Sequence, residues 1–123
     1  MNRLLFAYGT LQSRSRHAAA ERLRSVSRVI GPAAAQACLY QLGSYPGLVL
    51  SDRPQDIVSG ELIELFSVEI TLAWLDEYEG LAYTRQIITV TQHDGAVTSA
   101  WCYVYIDPVD DARRILSGVW LVP

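Results

Sequence analysis

The chain has 123 residues, half of them apolar, and a formal net charge of -3. That length suits one domain, residues 1–123, with a real core, and the acidic balance gives no electrostatic case for nucleic acid or an anionic membrane as partner. All ten basic residues other than histidine are arginine, which excludes a lysine Schiff base, a pyridoxal enzyme and a P-loop lysine.

Leu4 to Ala7 reads as a short buried strand ended by Gly9-Thr10, and the apolar stretch after Arg3 is too short for a signal peptide or membrane span. From about Gln12 to Arg28 the pattern predicts a helix whose Arg14, Arg16, Arg22, Arg24 and Arg28 form a solvated face. Gly31-Pro32 is expected to break the chain. Strands are expected at Ala33 to Leu42 and Gly47 to Leu50, around the turn residues Gly43, Ser44, Pro46 and Gly47. Val58 to Phe66 follows as a strand and residues 67–79 as a helix. Ile87 to Thr91 should pair with Ser99 to Ile106 across the Asp94-Gly95 turn. Many consecutive strands and two helices predict an α+β domain whose sheet is mixed, curved or closed. The apolar tail Ile115 to Pro123 is expected to lie on that sheet or to form a dimer contact, so the chain is expected as a monomer or homodimer.

Glu79 is the first candidate for chemistry. Leu72, Leu75 and Glu79 recur at i, i+3 and i+7, so Glu79 continues the apolar stripe. With Ser67 as N-cap and Gly80 as stop, it falls in the last helical turn, where burial and the helix dipole both disfavour its charge. A raised pKa is the property a general base or acid needs near neutral pH. The alternative is a helix-end carboxylate that snorkels or pairs with Arg85.

Tyr8-Gly9-Thr10-Leu11 is the second candidate: glycine lets the backbone turn sharply, and its amides could hold a carboxylate. Trp101, Tyr103 and Tyr105 alternate onto one face of their strand and either fill core or line a pocket with hydroxyls at its rim. Glu61 could pair with Glu79 as in a two-carboxylate glycosidase, although an outward strand residue is the simpler reading. His17, in the arginine-rich helix, and His93, at a loop tip, lack second ligands at metal spacing. Cys38 and Cys102 lie in separate apolar runs, as small buried side chains would, which fits a reducing, cytoplasmic compartment.

The YGTL turn at Tyr8 to Leu11, LGSYPGLV at Leu42 to Val49, GEL at Gly60 to Leu62, and LDEYEG followed by Tyr83-x-Arg85 together resemble the γ-glutamylcyclotransferase-like family, with its AIG2-like and γ-glutamylamine cyclotransferase branches. The resemblance spans nearly the whole chain in order. It implies a small mixed β-barrel flanked by helices, a cavity for a γ-glutamyl group, and release of 5-oxoproline without metal or cofactor. By the same matching the family's catalytic glutamate falls on Glu79 and its substrate-holding turn on Tyr8, Gly9, Thr10 and Leu11. Tyr83 and Arg85 would shape and brace the site. A binder without catalysis, or an interaction module, on the same fold remains open, because fold does not settle function.

Overall fold

A computed structural model describes residues 2–121. Met1, Val122 and Pro123 lie outside the described residues, so the expectation for the tail is followed only as far as Leu121. The element order is β1 (Leu4–Ala7), α1 (Ala18–Arg24), β2 (Ser27–Gln41), β3 (Pro46–Leu50), β4 (Ile57–Leu65), α2 (Val68–Glu79), β5 (Tyr83–Gln92) and β6 (Val97–Tyr105), followed by a 3-10 turn at Asp111–Arg113.

Five strands close into a ring, each paired with the next: β1 with β4, β4 with β2, β2 with β5, β5 with β6, and β6 back to β1. The closing β1–β6 pair is parallel, with Leu5 opposite Trp101, and the other four are antiparallel. β3 is added outside the ring, antiparallel to β2 and parallel to β6. The α+β barrel is therefore closed and mixed, which removes the unpaired edges of an open sheet.

Alternation along the strands sends one set of side chains inside the barrel and the other beneath the helices. Phe6, Leu39, Leu48, Val58, Leu62, Val90 and Cys102 fill the interior together with Ala33, Ala35 and Ala37. Leu5, Ala7, Ile63, Leu65 and Tyr103 face outward and receive Leu23 of α1 and Leu72 and Leu75 of α2. Full burial of such a leucine stabilises by about 1.5–3 kcal/mol, so these contacts dominate the seating of the helices.

Three expectations need correction. The first helix covers only Ala18–Arg24: residues 11–17 form turns, and from Ser27 the chain is recruited as a strand along β4. Gly31-Pro32 does not break the chain. β2 runs through it, with a register shift between Val29 and Gly31 and with Pro32 paired opposite Glu61. The arginines are more than a solvated face, since Arg22 stacks 4.2 Å above the Trp74 ring, Arg24 donates to the carbonyls of Ser13 and Ser15 at 2.6 and 2.9 Å, and Arg28 pairs with Glu64.

The described part of the tail packs on the barrel. Trp120 is buried in the barrel core, while Leu116 and Leu121 are exposed. Gly118 has φ +68°, its carbonyl accepts from Ser59 N–H at 2.9 Å, and a Cβ there would collide with the Ile57 carbonyl oxygen. A side chain at this position meets both left-handed backbone strain and a backbone wall. Gly118→Ala should lower stability by about 2 kcal/mol or more, read as a shift in the chemical-denaturation midpoint.

Candidate active site

A cavity of about 400 Å³ opens at one end of the barrel, between the end of β1, the last turn of α2 and the β2–β3 loop. Tyr8, Gly9, Thr10 and Leu11 line one side and Tyr78, Glu79, Ala82 and Tyr83 the other. Ser44, Tyr45 and Pro46 come from the loop before and the start of β3, Tyr103 from β6, and His17 from the N-cap of α1.

Helical spacing explains the placement of Glu79. Leu72 and Leu75 are buried beneath α2, and the side chain on the same stripe one turn later leaves the core and enters the cavity wall. The helix ends where expected: Gly80, at φ +80°, donates its N–H to the Asp76 carbonyl at 3.1 Å. At the other end Ser67 occupies the N-cap, but its side chain makes no capping bond. Among the described residues the Glu79 carboxylate has neither a hydrogen-bond donor nor an ion-pair partner. Loss of solvation raises its pKa to about 7.

The turn opposite is held rigidly from behind. Gln12, itself buried, donates its side-chain amide to the carbonyls of Tyr8 and Gly9 at 3.0 and 3.3 Å. Glu61 accepts from the N–H and hydroxyl of Ser13 at 2.5 and 2.6 Å, and Arg24 holds the carbonyls of Ser13 and Ser15. Glu61 is thus committed to the turn and does not line the cavity, which removes the carboxylate pair a glycosidase would need. With the Tyr8 and Gly9 carbonyls held by Gln12, the N–H groups of Gly9, Thr10 and Leu11 find no intramolecular acceptor among the described residues. Amides left unpaired at a cavity wall are a place for an anionic ligand.

Tyr8 forms the floor. Its hydroxyl donates to the Tyr103 carbonyl at 2.6 Å and accepts from Leu48 N–H at 3.3 Å, and burial pushes its pKa well up, so it is a neutral structural pin. Tyr83 lines the cavity and donates to the Pro46 carbonyl at 2.7 Å. Arg85 and Tyr105 are not brought to the cavity. Arg85 forms a two-point pair with Asp76 at 2.7 and 3.1 Å and lies 4.3 Å over the Trp101 ring. Tyr105, opposite Tyr83 in register, packs its ring edge-on against it at 5.4 Å, behind the lining. The aromatic row is therefore split: Tyr103 lines the site and Trp101 and Tyr105 support it.

Asp76 was not singled out from the sequence. It accepts from both Arg85 and the Tyr103 hydroxyl (2.7 Å), and the Arg85 hydrogen bonds hold its pKa below the usual carboxylate range. Standing one turn before Glu79, it fixes the end of α2 to β5 and β6; the i, i+3 spacing of the two acids in LDEYE is the signal that could have found it. His17 was also expected in mid-helix. It caps α1 through Nδ1, which accepts from Ala19 N–H at 3.1 Å, and its ring meets Tyr78 edge-on at 5.2 Å. Cys38 and Cys102 are free thiols, Cys102 inside the barrel and Cys38 donating to Asp56 at 3.4 Å.

The family described as "Gamma-glutamyl cyclotransferase, AIG2-like" matches residues 5–122. The chain belongs to this family. A γ-glutamylcyclotransferase family protein of Escherichia coli K12, YtfP, is 41% identical over 85 residues, which cover 68% of this chain and 66% of that protein, just under two thirds of its length. YkqA from Bacillus subtilis, a solved structure, is 28% identical with a TM-score of 0.76, and the match covers 98% of this chain and 40% of that one. A mouse AIG2-like protein shares the fold at a TM-score of 0.68 and 20% identity, over 98% of this chain and 95% of that one. The closed barrel with one added strand and two helices is thus the family's architecture. Among the described residues no helix is long and apolar enough to cross a membrane.

Charge on Glu79 opposes folding because its native pKa lies above the ordinary value of 4.5. The native state therefore holds more protons between about pH 4.5 and 7, and stability falls as pH rises through that window. Glu79→Gln should be more stable than the parent at pH 8, on the order of 1–3 kcal/mol, and nearly equal to it at pH 4, as read by paired denaturation curves.

Proposed function

We propose that the cavity converts a γ-glutamyl amine or amide to 5-oxoproline and the freed amine, with Glu79 moving the proton. The observation that supports this reading is that an unpartnered, desolvated Glu79 and a turn whose three amides are unpaired among the described residues line the same small cavity. The α-carboxylate of the substrate lies on the N–H groups of Gly9, Thr10 and Leu11. That anchors the glutamyl chain so that it folds back on itself between the turn and Glu79.

The α-amine nitrogen attacks the γ-carbonyl carbon and closes a five-membered ring. A new C–N bond forms, the carbonyl electron pair moves onto oxygen, and Glu79 takes a proton from the attacking nitrogen. Collapse of that intermediate restores the carbonyl and breaks the amide bond, while Glu79 delivers the proton to the departing nitrogen. One carboxylate serves both steps because its pKa sits between the two tasks. Holding the reacting atoms in place lowers the barrier further, by up to about 7–11 kcal/mol in favourable intramolecular reactions.

Asp76 and Arg85 support this chemistry from outside the cavity, and Tyr103 links Asp76 to the cavity wall. An Asp76–Arg85 pair of this exposure is worth about 0–1 kcal/mol of stability, so its value lies in fixing the end of α2. A γ-glutamyl small molecule is the partner this reading requires.

The base must be deprotonated to accept a proton, so kcat/KM should fall as pH drops below about 7, the value to which Glu79 is raised. 5-Oxoproline release from γ-glutamyl amines, γ-glutamyl amino acids and glutathione checks this. Wild type should turn over at least one of them and Glu79→Gln none, a loss of at least 10²–10⁴-fold. Turnover retained in Glu79→Gln would overturn the assignment of the base. Ligand binding without release from any substrate would leave a binder on the family fold.

Gly9 offers a separate check on the turn. A Cβ there would stand 2.6 Å from Pro46 Cγ, so Gly9→Ala must displace either the turn or β3. The expected result is a KM increase of tenfold or more with the fold retained, read by steady-state kinetics beside circular dichroism.

A further inference from the structure

The reaction places negative charge on the γ-carbonyl oxygen, and the Glu79 carboxylate cannot stabilise it. Five tyrosines line the cavity, and their hydroxyl protons are unequally available. Tyr8 donates to the Tyr103 carbonyl, Tyr83 to the Pro46 carbonyl and Tyr103 to Asp76, each at 2.6–2.7 Å. Tyr45 is about half exposed (48%) on the loop at the mouth. Tyr78 differs from all of these.

Its hydroxyl lies 2.7 Å from Thr10 Oγ1, and either oxygen can be the donor. Two hydroxyls carry two protons, and the bond between them uses one. Whichever way that bond runs, one proton stays free, and among the described residues no other acceptor takes it. Both side chains line the cavity, Thr10 from the turn and Tyr78 from the residue before Glu79. The Tyr78 ring is held edge-on by His17, and the Glu79 charge is near enough to help raise the Tyr78 phenol, after desolvation.

We propose that the Tyr78–Thr10 hydroxyl pair is the oxyanion donor of this site, hydrogen-bonding the γ-carbonyl oxygen as the α-amine adds to its carbon. This rests on the cyclotransferase reading. No proton passes from the pair to the substrate: the oxygen accepts the hydrogen bond while the carbonyl electron pair resides on it and loses it when the pair returns. The pair joins the carboxylate-holding turn to the proton-transferring helix end, and both of its side chains line the cavity that Glu79 also lines. A preorganised donor of this kind acts where charge develops and not on the ground-state amide.

The alternative role for the pair is a latch that merely ties the turn to α2, and the two roles predict opposite patterns. Removing one hydroxyl leaves the other with a free proton, so a donor pair tolerates Tyr78→Phe or Thr10→Val with less than tenfold loss each. The double variant then has no proton to give and should lose about 10²–10³-fold in kcat with KM little changed. For a latch, either single change breaks the bond and the second costs nothing more.

The experiment is kcat and KM for 5-oxoproline release by wild type, both single variants and the double variant, with thermal melts to confirm that each is folded; Thr10→Ala replaces Thr10→Val if the latter fails to fold. A loss in the double variant greater than the product of the single losses, carried by kcat, is the expected result. A double variant no worse than the poorer single, or within tenfold of wild type, overturns the donor role and leaves the cyclotransferase reading intact. Wild type that releases no 5-oxoproline from any γ-glutamyl compound removes that reading, and the donor role with it.

Discussion

The strand β1 is paired on both edges, all four residues antiparallel to β4 and Leu5 parallel to Trp101 of β6, and the cavity is positioned through that double pairing. Inserting β1 between two strands that lie some sixty and a hundred residues later brings the turn after it to the open end of the barrel, beside Tyr103. The outward face of the same strand supplies Leu5 and Ala7 to the seat of α2, which carries Glu79 to the opposite wall. Two groups far apart in sequence thus meet across one cavity because a single short strand anchors both sides. Long-range closure of this kind costs chain entropy, which the buried faces of the strand offset.

Burial acts in opposite directions on the two parts of this arrangement. For Leu72 and Leu75 it stabilises the helix on the barrel. For Glu79, one turn further along the same stripe, it removes water from a carboxylate with no compensating partner and raises the pKa to about 7. The contrast with Asp76 is informative: three residues away, it is served by Arg85 and Tyr103 and stays ionised. Two acids on one helical turn are thereby given different protonation behaviour by their neighbours alone. The stability lost at Glu79 is carried by the apolar stripe beneath it, because the exposed ion pair contributes too little to do so.

The second helix was legible from residue spacing because its stripe, its N-cap position and its terminal glycine agree with one another. The β5–β6 hairpin was legible for a similar reason: Asp94-Gly95 lies between two alternating runs, and Thr91 pairs with Val97 across it. The first helix was overread. Ser13 and Ser15 fit a polar approach to a helix equally well, but Glu61 and Arg24 hold that segment as turns, and β4 draws the chain from Ser27 onward into the barrel. Arg85 and Tyr105 were placed nearer the cavity than they are. Their strand positions could be read from the chain, but the β5–β6 register that sets Arg85 opposite Tyr103, and the seating of α2 that brings Asp76 to it, are tertiary.

Sequence by itself determined the α+β class, the orientation of Glu79 toward the interior side of its helix, and the hairpin turn at Asp94-Gly95, since each depends on local periodicity or on the steric freedom of one residue type. Tertiary structure alone decided that the turn and Glu79 share one cavity, that Glu61 serves the turn instead of pairing with Glu79, and that Tyr78 and Thr10 meet hydroxyl to hydroxyl. Such contacts join residues separated by 48 or 68 positions along the chain. They are set by which strands pair and in which register, and hydrophobic alternation specifies the face a side chain takes without specifying the neighbour it finds there.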